Sequence, residues 1–137
     1  MIRAVIGILK CDNQVLIAER PSGKPYAGYW EFPGGKIEED ETSFAALVRE
    51  LHEELSIKVQ TASFGFQHHH QYPDKKVSLD IWLVNEFTGT PMPQENQRLA
   101  WVDFETIRTW RILEGNIPIL EKIGLLFSDS KNYSSSK

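Results

Sequence analysis

The stretch "GGKIEEDETSFAALVRELHEELSI", Gly34 to Ile57, joins a double glycine to an acid-rich loop and then to an amphipathic segment. Thr42 is placed to cap a helix. Phe44, Leu47, Val48, Leu51 and Leu55 follow at spacings of three and four, the period of one buried helical face. Glu50, Glu53 and Glu54 have the same relation to one another, so they share a face. At about 100° per residue that face borders the leucine stripe instead of lying within it. The leucines can therefore bury against a sheet while three carboxylates project from the border. Like charges so spaced repel by roughly 1 kcal/mol per pair in water, and more in a partly dry cleft. Arg49 is expected to relieve one carboxylate, but hardly all three.

A hard divalent cation would serve them together. Mg²⁺ takes oxygen ligands, keeps several waters, and binds through a few carboxylates plus substrate phosphates. Gly34 and Gly35 lack Cβ atoms, so their backbone can come close to such an ion and offer a carbonyl. The run His68-His69-His70 is a weaker metal candidate, because neighbouring strand side chains point to opposite faces and only His68 and His70 could converge. A solvated strand end is the simpler reading of that run.

Around this segment the chain alternates strands and helices. Ile2–Lys10 and Gln14–Glu19 read as a hairpin joined by Asp12-Asn13. Tyr29–Phe32 is a short aromatic strand, and Ile57–Phe66 and Val77–Phe87 are longer ones. In the last of these Val77, Leu79, Ile81 and Leu83 alternate, which leaves Ser78, Asp80 and Trp82 for the other face. Thr88–Gln97 is a loop, Leu99–Phe104 a strand, and Asn116–Phe127 a second helix with Pro118 in its first turn. The order strands–helix–strands–helix points to an α+β (α/β/α sandwich) fold with a mixed sheet between helices. One domain is expected over residues 1–127, followed by a polar, disordered tail over 128–137.

Composition limits the function classes. The 137 residues carry a net charge of −4, against the basic balance of a protein that tracks a nucleic-acid backbone. No apolar run is long enough for a membrane span, and the N-terminus lacks a signal-peptide layout. The single cysteine excludes an internal disulfide framework. These features predict a cytoplasmic monomer that binds neither membrane nor nucleic-acid polymer.

Written as a pattern, Gly35-x5-Glu41-x7-Arg49-Glu50-Leu51-x-Glu53-Glu54-x-Ser56-Ile57 resembles the Nudix box, G-x5-E-x7-R-E-U-x-E-E-x-G-U, with U a bulky aliphatic. The one departure is Ser56, where the family has a glycine in a left-handed helix end; serine costs about 1 kcal/mol there. "WEFPGGKIE", "YPDKKVSLDIWLV" and "NIPIL" are similar to the MutT branch, and the likeness runs from about Ile2 to Ile123. It implies the Nudix fold and hydrolysis of a nucleoside triphosphate to a monophosphate and pyrophosphate.

The resemblance also implies roles for individual residues. Glu53 and Glu54 would ligate Mg²⁺ (Mn²⁺ as a substitute) with the Gly34 carbonyl nearby, and Glu50 would be a ligand or the base that orients water. Glu95 matches a further catalytic, metal-binding carboxylate of the branch; by itself it reads as an exposed loop glutamate. Arg49 and Glu41 would pair to hold loop and helix. Arg20 matches an arginine at the substrate phosphates, Glu31 and Phe32 flank the base pocket, and Asn116 matches a base-reading asparagine. Without the family Arg20 is a surface charge, Phe32 a core aromatic and Asn116 a helix cap. The substrate so implied is 8-oxo-dGTP. The alternatives are a CTP or dCTP pyrophosphohydrolase and a non-catalytic nucleotide-binding domain.

Overall fold

The structure is a computed structural model that describes residues 1–125. The tail expected over 128–137 and the last two residues of the expected second helix lie outside the described residues. Strand β1, Ile2–Cys11, ties two sheets together. Its residues Ile2 to Leu9 run parallel to β6, Lys76–Thr88, and Ala4–Ile6 pair on the other edge with β4, Gly34–Lys36, in antiparallel sense. The last two residues, Lys10 and Cys11, pair with Val15 and Gln14 of β2, Gln14–Glu19. The hairpin read from the sequence is therefore real but short, because β2 then diverges. It pairs instead with β3, Trp30–Glu31, and β7, Leu99–Asp103. Strand β5, Lys58–Gln71, lies antiparallel to β6 at the outer edge, with its register broken between Val59 and Ala62 and again between Phe64 and Phe66.

Helix α1, Ser43–Leu55, forms where the apolar period placed it, and the Thr42 side chain accepts from the Ala45 N–H at 3.1 Å. Ala46, Leu47, Leu51 and Leu55 are fully buried against Val5, Leu9, Leu16, Ile57 and Val84. Each such leucine contributes about 1.5–3 kcal/mol by leaving water. A second core lies on the opposite side of β1. There Ile6, Ile8, Ile17, Trp30, Phe32 and Ile81 meet Ile119, Leu120 and Ile123 of a helix over 117–125, here α2. The result is a mixed sheet with two helices, an α+β fold as read from the sequence.

Some local expectations fail for identifiable reasons. β4 has only three residues and no apolar alternation, so nothing in its sequence marks it as a strand. β5 runs through the polar His68–His70, because pairing to β6 supplies the order that hydrophobicity does not. Ser78 and Asp80, on the face opposite Leu79 and Ile81, are buried as well. β6 sits between β1 and β5, so both of its edges are paired, and Asp80 accepts from the Gln67 side-chain amide at 2.9 Å.

Candidate active site

Pairing of β4 with β1 carries the double glycine under the charged border of α1. A Cβ on Gly35 would overlap the Glu50 carboxyl group, so only glycine permits this approach. The Gly34 N–H donates to Glu54 Oε2 at 3.2 Å. The sequence reading placed the Gly34 carbonyl toward a cation; the contact made here is through its N–H.

Arg49 organises the loop. Its Nε and Nη2 donate to the two carboxylate oxygens of Glu41 at 2.7 and 2.9 Å, and Nη2 also donates to the Lys36 carbonyl at 2.9 Å. Glu41 further accepts from the Glu38 N–H at 2.9 Å. Arg49 Nη1 lies 2.9 Å from Glu50 Oε1 and 3.4 Å from Glu53 Oε2. The guanidinium thus serves Glu41 and two of the three helix carboxylates, more than the sequence reading allowed it. Among these contacts it makes none with Glu54.

Glu54 is placed by the end of its own helix. Its carbonyl accepts from the Gln94 N–H at 3.2 Å and from the Gln97 side-chain amide at 3.2 Å, while the Leu55 carbonyl accepts from the Met92 N–H at 2.9 Å. The final carbonyls of a helix lack intrahelical partners, and here the loop after β6 supplies them. Gln97 also accepts from the Glu95 N–H at 2.7 Å, which fixes Glu95 near Glu54. Arg20, Lys24, Glu31, Glu54, Glu95 and Gln97 line a cleft of about 430 Å³.

Charges in and around this cleft are unequally satisfied. Burial pushes the Glu54 carboxyl up to about 8; Glu95, Glu31 and Glu50 add to the shift, against the Gly34 hydrogen bond. Burial also raises Glu50, opposed by Arg49, and raises Glu31, opposed by Arg20. Glu41 is the reverse: its bonds to Arg49 and to the Glu38 N–H hold it down at about 2.

A second cleft of about 300 Å³ adjoins the first, sharing Arg20, Glu31 and Glu54, and is also lined by Phe32, Tyr72 and Asn116. Arg20 Nη1 reaches the two Glu31 oxygens at 3.2 and 3.0 Å, and its Nε donates to the Pro25 carbonyl at 2.7 Å. Phe32 belongs to the core and lines the cleft as well. Asn116 ends a 3₁₀ turn, Glu114–Asn116, and is 6% exposed. Its Oδ1 accepts from the Phe32 N–H at 2.9 Å, so the amide ties α2 to the glycine loop across the cleft.

All the predicted site residues fall in one region, with differences in reach. Glu54, Glu95, Arg20, Glu31, Phe32, Gly34 and Asn116 line the clefts. Glu50 sits behind Gly35, and the Glu53 side chain is 54% exposed and turned toward Arg49. Among the described residues no three His, Cys, Asp or Glu side chains already close into a cage for an ion. The donors are nonetheless carboxylates, the type a hard cation takes, and the raised Glu54 is a carboxyl whose ionisation a cation would favour. Sequence reasoning weighed His70 only as a weaker metal candidate and missed Tyr72; both line the second cleft. Even-numbered positions from Phe66 onward share one strand face, and that was the available signal once β5 was extended. Gln97 and Lys24 were also missed; each lies in a loop with no periodicity.

A loop–helix unit whose glycines lie against helix carboxylates, with an Arg–Glu clamp behind them, defines a hydrolase class. The family model described as NUDIX domain matches residues 1–123; the chain belongs to the Nudix family and is a Nudix hydrolase. Among curated relatives, the CTP pyrophosphohydrolase of Escherichia coli K12 is 38% identical over 88% of this chain and 90% of its own length. The 8-oxo-dGTP diphosphatase of the same organism is 32% identical over 89% of this chain and 95% of its own. Among solved structures, the E. coli ORF135 protein superposes with a TM-score of 0.84 at 36% identity, covering 94% of this chain and 92% of that one. No helix among the described residues is long and apolar enough to cross a membrane.

Proposed function

We propose that this Nudix pyrophosphohydrolase cleaves nucleoside triphosphates, with 8-oxo-dGTP as the preferred substrate and 8-oxo-dGMP and pyrophosphate as products. The observation that carries this reading is the buried Asn116 amide on the wall of the second cleft. One Oδ1 lone pair is held by Phe32, which fixes the amide plane and leaves its two N–H donors and the other lone pair for a ligand. Plain guanine offers two adjacent acceptors, O6 and N7, on its major-groove edge. The 8-oxo form carries a hydrogen on N7, so its edge becomes acceptor beside donor and satisfies both functions of one amide. A site built for such a pair rejects the analogue lacking it by about 10⁴ or more, because a buried group is left unpaired.

The phosphates lie on this reading toward Arg20 and the carboxylates of the first cleft. Glu53, Glu54, Glu50 and Glu95 would hold Mg²⁺, with Mn²⁺ as a substitute. When bound, the ion supplies charge neutralisation at the phosphate oxygens and a template for an attacking water. Glu50 is a ligand or the base that orients that water. Arg49 and Glu41 keep the loop and helix in register. The enzyme so described is a cytoplasmic monomer that acts on free nucleotides, in keeping with its net charge of −4 and its lone, exposed Cys11.

A second reading, CTP or dCTP as substrate, is favoured by the greater identity to the CTP pyrophosphohydrolase, 38% against 32%. Cytosine also presents a donor, N4–H₂, beside an acceptor, N3, so the same amide could pair with it. A kinetic panel of 8-oxo-dGTP, dGTP, CTP and dCTP separates the two. The first reading expects kcat/KM for 8-oxo-dGTP to exceed that for dGTP strongly, mostly through KM, and expects Asn116→Ala to remove the preference. Equal values for 8-oxo-dGTP and dGTP, with faster CTP turnover, would establish the second.

A further inference from the structure

We infer that Lys24 binds the pyrophosphate portion of the substrate from the loop side of the first cleft. This assignment rests on the triphosphate reading but not on which base is preferred. A triphosphate brings several negative charges into a cleft whose walls already carry Glu19, Glu31, Glu54 and Glu95. Beside the Mg²⁺ proposed above, protein cations there would favour such a ligand, and most of those nearby are engaged. Arg49 is held by Glu41, Glu50 and Glu53. Arg98 is bonded to both oxygens of Glu19, at 2.8 and 2.6 Å. Arg20 spends Nη1 on Glu31 and Nε on the Pro25 carbonyl. Lys24 lines the same cleft, and among the described residues it has no carboxylate partner.

The loop that carries Lys24 is fixed at several points. The Lys24 N–H donates to the Pro21 carbonyl at 3.2 Å, Gly28 N–H to the Arg20 carbonyl at 3.0 Å, and Arg20 N–H to the Tyr29 carbonyl at 2.8 Å. The Arg20 side chain closes the loop through Pro25, the residue directly after Lys24. Arg20 therefore acts in part as a positioning residue that holds the lysine at the mouth of the cleft. The Lys24 side chain itself is solvated, so its ammonium can reach a phosphate without first breaking an ion pair. Such an ammonium is suited to phosphate as a point charge.

The test compares the wild-type protein with Lys24→Gln and Lys24→Arg at saturating Mg²⁺. Binding of inorganic pyrophosphate is measured by calorimetry, binding of 8-oxo-dGMP and CMP in parallel, and steady-state turnover with 8-oxo-dGTP and CTP. Lys24→Gln should weaken pyrophosphate binding about tenfold or more, the usual scale for a charged hydrogen bond. It should raise KM by a similar factor, with a smaller change in kcat. Binding of the monophosphates and the thermal midpoint should stay within error, and Lys24→Arg should recover most of the pyrophosphate affinity. Unchanged pyrophosphate binding in Lys24→Gln overturns the inference, as does equal weakening of pyrophosphate and monophosphate. Absence of turnover in the wild-type protein would count against the triphosphate reading, while the pyrophosphate binding comparison still decides the role of Lys24.

Discussion

Glu41 and Glu54 belong to the same loop–helix unit and have opposite electrostatic circumstances. Glu41 receives two hydrogen bonds from Arg49 and one from a backbone N–H, and its carboxyl is held at about 2. Glu54 receives one backbone hydrogen bond, faces Glu95, Glu31 and Glu50, and is pushed up to about 8. One carboxylate is already complemented by the protein, and the other waits for a charge that the protein does not supply. A folded domain keeps such an unrelieved acid at some cost in stability, which marks a functional site more clearly than the number of acids does. Glu41 then reads as the residue that builds the unit and Glu54 as the one that uses it.

The largest expected effect is at the unrelieved end. Glu54→Gln or Glu53→Gln should lower kcat by roughly 10²–10³, the scale of several kcal/mol of lost transition-state stabilisation. A chelator should abolish turnover of the native enzyme, and added Mg²⁺ or Mn²⁺ should restore it. Near-normal turnover by Glu53→Gln in the presence of EDTA would reject the metal reading.

At the complemented end the loss should be one of stability. Arg49→Lys keeps the charge but cannot offer the fork that bonds both Glu41 oxygens. It should cost about 1–3 kcal/mol, seen as a lower denaturant midpoint. Glu41→Gln should change the acid limb of the stability profile. The folded-state value of Glu41 is lowered, so its ionised form stabilises the fold above the ordinary value of 4.5, and that contribution fades as pH falls toward about 2. The variant should therefore lose stability at pH 7 and converge on the native protein near pH 2. Parallel profiles at every pH would mean that the clamp does not matter to folding.

Much of this division was legible in the sequence, because it depends on local periodicity. The i, i+3, i+4 carboxylates and the Thr42 cap follow from offsets along one helix, and the Arg49–Glu41 pairing came from the resemblance to the Nudix box. Ser56 was legible through the same resemblance: it adopts the left-handed conformation, φ 60° and ψ 33°, and its N–H closes on the His52 carbonyl at 2.9 Å. What the sequence did not disclose are relations between distant segments. The loop of Glu95 is pinned to the last carbonyls of α1, and Asn116 bonds the Phe32 N–H instead of capping α2. His70 and Tyr72 reach the cleft only because β5 continues past Phe66. No local pattern encodes the first two contacts, and the third follows only from a strand longer than the one read from the sequence.

The smallest expected effect is at Ser56 itself. Ser56→Gly should raise stability by up to about 1 kcal/mol, or a few degrees in Tm, by relieving the left-handed backbone. Turnover should change by less than a few-fold, since Ser56 is exposed and lines neither cleft. A clear loss of stability would mean that the hydroxyl makes a contact of more value than the strain.

The contrast between the two glutamates is tested most directly by the stability of wild-type and Glu54→Gln proteins as a function of pH, each with EDTA and with Mg²⁺. A carboxyl raised from 4.5 to about 8 binds its proton more tightly in the folded state, so metal-free wild-type protein should lose stability as pH rises between those values. The limiting slope for one such group is about 1.4 kcal/mol per pH unit. Glu54→Gln lacks this loss, so in EDTA it should match the wild type near pH 4.5 and exceed it at pH 8.5. Mg²⁺ should stabilise the wild type at pH 8.5 and do much less for the variant. If instead the two proteins keep a constant difference across the range and respond equally to Mg²⁺, Glu54 is an ordinary surface acid and the proposed cation site is wrong.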